Sequence, residues 1–157
     1  MSSLKPILAE EVSAPSKSSN YPEPYASLMN GRIKRKLGDF FDLKNFGVNL
    51  TTLSPGSMSA LKHQHSQQDE FVYVLSGTPT LVYGSHEYVL SPGECVGFKA
   101  GGGSAHHLLN RSENTATYLE IGDRTSGDEV VYPDDDICAQ SEADGTWTFT
   151  HKDGRPY

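Results

Sequence analysis

The sequence predicts an all-β fold, a compact antiparallel sandwich or barrel, and three features of the sequence carry that prediction. Between Phe46 and Ile121 short runs rich in valine, tyrosine and threonine follow one another closely. Turn punctuation separates them, including a repeated Ser-Pro-Gly at 54–56 and 91–93. No helical period competes with the strand pattern. Strands of this length at this spacing bury one face each, and packing two such faces together gives a core.

Taken in chain order, residues 1–30 hold SAPSKSSNYPEPY, in which serine and proline break helix and central strand alike, so this stretch reads as an arm lying over a domain. Tyr21 and Tyr25 are the side chains that would anchor it. Residues 31–125 form the barrel, with strand-type runs FGVNLTTL, SALKHQH, EFVYVLSG, TPTLVYG, SHEYVL, ECVGF, HHLLN and ATYLEI. Residues 126–157 change character, pass through the acidic run Asp134-Asp135-Asp136, and end in one strand-like stretch, TWTFT. That extension is expected to pack on the barrel or on a partner subunit, with the apolar face of Trp147 and Phe149 turned inward. The acidic run reads as a solvated turn.

Composition narrows the function. The 157 residues contain 13 lysines and arginines against 20 aspartates and glutamates, a net charge of −7, which argues against nucleic acid and anionic membrane as partners. No segment approaches the roughly 20 apolar residues that span a bilayer, and a soluble, cytoplasmic protein is expected. Cys95 and Cys138 are far apart with no paired-cysteine spacing, so both read as thiols, Cys95 as a buried packing residue.

The chemistry concentrates in KHQHSQQDE at 62–70. Side chains at i and i+2 of a strand share a face, so His63 and His65 aim two imidazoles at one point while Lys62 and Gln64 face away. If SQQD is a tight link between antiparallel strands, Glu70 returns beside them, with Val72 and Val74 on its face and Phe71, Tyr73 and Leu75 on the other. A carboxylate among imidazoles and valines is costly unless a cation neutralises it. His106 and His107 are neighbours on a strand, so only one of them can join that face, and alternation alone does not choose. His86 and His151, in a turn and in the tail, read as exposed.

The ordered set Gly56, His63, His65, Glu70 and Gly77, then Gly93, His106 and Asn110, resembles the two motifs of the cupin superfamily. The chain is similar to small single-domain cupins of the mannose-6-phosphate-isomerase-like kind. The resemblance implies a double-stranded β-helix, a jelly-roll-like barrel with N- and C-terminal arms, and a homodimer. It also implies one divalent metal ion held by His63, His65, Glu70 and His106, which selects His106 over His107. Iron, manganese, nickel, zinc and copper all suit three imidazoles and a carboxylate. The spacing from Gly56 to His63 is one residue longer than the family pattern. Lys99 stands at the family's proline position, ahead of a lengthened glycine loop, AGGGSA.

A metal with open positions implies a small-molecule substrate that chelates, an oxygen-rich metabolite such as a sugar derivative or keto acid, and isomerase, lyase or dioxygenase chemistry. Isomerisation needs a proton carrier, and alternation along ATYLEI puts Tyr118 and Glu120 on one face as the candidate catalytic pair. The other reading is a metal-bearing binding or sensor module without turnover.

Overall fold

The computed structural model describes residues 5–157, and its architecture follows from the strand runs and from two segments whose sequence gave no strand signal. Strand β1 (Arg32–Lys36) pairs antiparallel with β2 (Phe46–Leu53), which pairs with β9 (Ala116–Asp123). β4 (Glu70–Ser76) and β7 (Cys95–Phe98) complete a five-stranded sheet in the order β1-β2-β9-β4-β7. β5 (Thr80–Tyr83), β6 (His86–Val89) and β8 (His106–Leu109) form a second sheet in the order β6-β5-β8. A third runs β12-β11-β10-β3, from Trp147–Thr150, Cys138–Ser141, Glu129–Val131 and Gln64–His65.

The second and third sheets meet along one short segment. Met58 and His63 bridge to Leu109 and His106 of β8, while His65 pairs with Val130 of β10. SALKHQH, expected as one strand, is therefore regular only at Gln64–His65. The expected hairpin through SQQD is also replaced. β3 pairs with β10 and β4 with β7 and β9, so residues 66–69 cross from one sheet to the other. Glu70 still arrives beside the histidines, because the two sheets face each other there.

Alternation sets the interior. Along β4, Val72 and Val74 are buried, and Phe71, Tyr73 and Leu75 lie outside. They pack with Leu53, Leu81, Phe98, Leu108 and Tyr118 in the core between the five-stranded and three-stranded sheets. A second core joins the C-terminal strands to the N-terminal segment, through Met29, Leu61, Val130, Tyr132, Ile137 and Ala139. Trp147 and Phe149 cover this core, and Tyr21 enters it edge-on to Tyr132 and Phe149, each at 5.8 Å between ring centroids. Tyr25 meets Tyr157 at 6.0 Å. Residues 1–4 of the expected arm lie outside the described residues.

Gly77 closes β4 at φ +74°, where a Cβ would stand 2.5 Å from the Thr115 carbonyl oxygen, so only glycine fits. The register of β4 against β9 shifts just before it, between Val74 and Ser76. Other expectations change. Cys95 is exposed on β7, not buried, because its position alternates with the inward Val96 and Phe98. His151 is half-buried: its ring stacks on Tyr157 at 4.0 Å, and its Nδ1 lies 2.8 Å from Asp136 Oδ2. No helix among the described residues is long and apolar enough to cross a membrane.

Candidate metal centre

Four side chains from three β segments converge at the seam between the sheets. Glu70 Oε2 lies 2.9 Å from His106 Nε2, 3.4 Å from His63 Nε2 and 3.5 Å from His65 Nε2. Donor atoms of His63, Glu70 and His106 all fall within 4.8 Å of one another, and His65 joins this group through Glu70. His106 shares its inward face with the buried Leu108 and Asn110 and stacks on Phe98 at 3.5 Å. His107 turns away, its Nδ1 donating to the Ala60 carbonyl at 3.0 Å.

Whether these donors fit a metal can be decided from their hydrogen bonds. His63 Nδ1 lies 2.7 Å from the Leu61 carbonyl oxygen, and His65 Nδ1 lies 2.5 Å from Asp128 Oδ2. Both partners only accept, so each ring carries its proton on Nδ1 and turns a bare Nε2 lone pair toward Glu70. Glu70 Oε2 is itself buried and accepts no hydrogen bond. Lone pairs facing one another across about 3 Å repel, whereas two ligands at 90° on one ion with bonds near 2.1 Å stand about 3 Å apart. The arrangement fits a divalent first-row metal.

Charge and burial act on these groups in different directions. Burial raises the Glu70 pKa, but the surrounding His63, His106 and His65 more than offset this and hold it well below the ordinary carboxylate range. Burial pulls His106 down, only partly opposed by Glu70, and so favours the neutral, ligating ring. At His65 burial also pulls down, yet Asp128 and Glu70 outweigh it and raise the pKa.

The donors lie in a cavity of about 1190 Å³, which Tyr118, Glu120, Arg32 and Lys34 also line. On β9, Tyr118 stands opposite Val74 and Glu120 opposite Val72, so both expected catalytic residues occupy the inner face. Glu120 Oε1 pairs with Lys34 Nζ at 2.7 Å, and Oε2 accepts from Thr51 Oγ1 at 3.4 Å. Tyr118 is fully buried and its hydroxyl has no partner; burial pushes its pKa well above that of a free phenol. A second opening of about 230 Å³ reaches His65, Glu70 and His106 from the side of Tyr83, Lys99 and Gly103. The glycine loop beside it is tied down, with Gly101 N–H donating to the His65 carbonyl at 3.0 Å. Lys62 points away and pairs with Asp134 at 3.5 Å.

Two further sets of residues at the site have no motif or apolar alternation to mark them in the sequence. Arg32, Lys34 and Lys36 alternate along β1 and all border the cavity; RIKRK has the period of a strand, but in basic side chains instead of apolar ones. Asp128 follows a Ser-Gly turn and has no local mark of its role.

Fold and site together define a double-stranded β-helix barrel with a histidine and carboxylate cluster inside it. A cupin-domain family profile matches residues 49–122. A solved sugar phosphate isomerase from a cupin superfamily, from Silicibacter pomeroyi, is 42% identical over 88% of each chain, with a TM-score of 0.83. A candidate sugar phosphate isomerase from Acidithiobacillus ferrooxidans is 32% identical over 80% of each chain, with a TM-score of 0.71. The chain belongs to the cupin superfamily. The polyketide cyclase RemF from Streptomyces resistomycificus, 22% identical over 76% of this chain and 79% of that one, shares the fold with a TM-score of 0.62. No curated protein is similar enough to match.

Proposed function

We propose that this cupin is a metal-dependent enzyme that isomerises a small, oxygen-rich, anionic metabolite such as a sugar derivative or keto acid. The observation that carries this reading is the convergence of three imidazoles on an otherwise unpartnered carboxylate oxygen inside a cavity that also holds Glu120 and Tyr118. His63, His65, Glu70 and His106 would hold one divalent ion, of iron, manganese, nickel, zinc or copper. Such an ion, when bound, supplies Lewis acidity toward a substrate carbonyl or hydroxyl. Glu120 takes a proton from the hydroxyl-bearing carbon beside the carbonyl and returns it to the former carbonyl carbon, while the hydroxyl proton passes to the former carbonyl oxygen, so that carbonyl and hydroxyl exchange places. Tyr118 donates a hydrogen bond to the substrate oxygen that gains electron density. Its high pKa keeps that proton on the phenol until substrate arrives. Arg32, Lys34 and Lys36 on the cavity wall support an acidic substituent, phosphate or carboxylate, on the substrate. The sugar phosphate isomerases among its structural relatives point the same way.

Replacing Glu120 by Gln should lower turnover at least ~100-fold, with metal content and thermal midpoint unchanged. In D2O the unaltered enzyme should wash solvent deuterium into substrate and the variant should not. Full turnover in the variant would remove Glu120 from the mechanism.

One observation favours a second reading, a metal-bearing binding or sensor module: Glu120 is already engaged by Lys34 and Thr51, as a structural pair would be. In that case one compound from a chelating-metabolite panel raises the thermal midpoint and none is turned over. The outward Phe71, Tyr73 and Leu75 of β4 support a homodimer, which sedimentation equilibrium would test with Tyr73→Asp.

A further inference from the structure

We infer that Asp128 is a positioning residue of the metal centre: its carboxylate fixes His65 in the tautomer that presents Nε2 as a ligand, and the C-terminal strands supply it from outside the matched cupin segment. The inference rests on the metal-binding reading above, and it adds a residue to which nothing in the family comparison points. Asp128 lies beyond residues 49–122, just before β10.

Asp128 is wholly buried, and its two oxygens do different work. Oδ2 faces His65 Nδ1 at 2.5 Å. Oδ1 accepts from Gln67 N–H at 2.7 Å, and from Gln68 N–H and Ser66 Oγ at 3.2 Å each. Its backbone is held as well, with Asp128 N–H donating to Ser141 Oγ at 2.9 Å and Ser141 N–H donating to the Asp128 carbonyl at 2.8 Å. One carboxylate therefore orients the imidazole and sets the path of the loop that carries the chain from His65 to Glu70. Two of the four candidate ligands depend on it.

The asymmetry makes an isosteric test possible. In Asp128→Asn the three donors of the loop oblige the amide oxygen to stay on the Oδ1 side, so the NH2 group turns to His65. His65 Nδ1 must then accept, its proton moves to Nε2, and the nitrogen that faces Glu70 no longer has a free lone pair.

Three measurements test this. Long-range 1H–15N NMR on metal-free protein, at a pH where the ring is neutral, should show His65 protonated on Nδ1, and on Nε2 in Asp128→Asn. Finding Nε2–H in the unaltered protein overturns the inference whether or not the variant folds. Chelator competition with Co(II) should give binding about 10- to 100-fold weaker in the variant, with an altered ligand-field spectrum. Affinity equal to that of the unaltered protein overturns the inference. Ser66→Ala, which removes the hydroxyl that donates to Oδ1 and accepts from the Glu129 N–H but leaves the Oδ2–His65 contact untouched, should lower the urea midpoint and leave Co(II) affinity intact. A merely structural Asp128 would give both variants the second pattern. If the unaltered protein takes up no metal, the metal reading fails, and the tautomer measurement still decides the role of Asp128.

Discussion

At Glu70 the local energetics are set by what is missing from its surroundings. Its Oε2 lies beside three imidazole nitrogens and, among the described residues, accepts no hydrogen bond, so a cation held there would stabilise it strongly. Glu70→Gln should abolish metal uptake, read by elemental analysis after dialysis, with the far-ultraviolet dichroism unchanged. Gly77→Ala has a different outcome, because a Cβ 2.5 Å from a backbone oxygen at φ +74° cannot be relieved by a rotamer change. It should cost about 2 kcal/mol or more in urea unfolding. Asp136 offers a pH test remote from the cavity. The Lys152 N–H and the His151 ring hold its carboxyl below the usual aspartate range. The unfolded chain therefore binds more protons, and the stabilisation is complete above the ordinary value of about 3.9 and lost as pH falls through the lowered folded value. Asp136→Asn should flatten that acid limb of a stability–pH curve. Strand alternation in the sequence relates His63 to His65 and Glu70 to Val72, whereas the choice of His106 over His107 comes from the resemblance to cupins. Neither could expose Asp128, whose partner His65 is 63 residues away and reached only through strand pairing.

Among the elements, the strands that were legible are those in which apolar side chains alternate. β4 and β9 are buried on one face, and their valines, tyrosines and leucines record it. β1 was not legible because the face it turns inward is basic, an arrangement that makes sense only beside a polar cavity. β10 and β11 were hidden by brevity, at three and four residues, and by the single proline and the aspartates between them. These C-terminal strands nonetheless carry a full share of the structure. Ile137, wholly buried in the second core, should cost about 2–5 kcal/mol when replaced by Ala, measured by urea unfolding. That loss should appear in the unfolding of the whole chain, since β10 is hydrogen-bonded to the segment that bears His65.

For the molecule as a whole, the three-stranded and four-stranded sheets are joined by residues 56–65, whose backbone bonds run along Asn110, Leu108 and His106 and then onto β10. His63 joins the β8 side through reciprocal backbone hydrogen bonds with His106, of 3.0 and 2.8 Å, and His65 joins the β10 side. On the metal-binding proposal, ion binding and sheet association would be linked equilibria. A ligand present at 100 times its dissociation constant should add about 2.7 kcal/mol to global stability. Scanning calorimetry before and after chelation would measure it. Because the same two residues would act as chelators and as stitches, stripping the proposed ion should register first as a local breathing motion: the amide protons of His63 and His106 would exchange with deuterium well ahead of those in β2 and β9. Such a protein would report its own metal status in the looseness of its backbone, ahead of any chemistry.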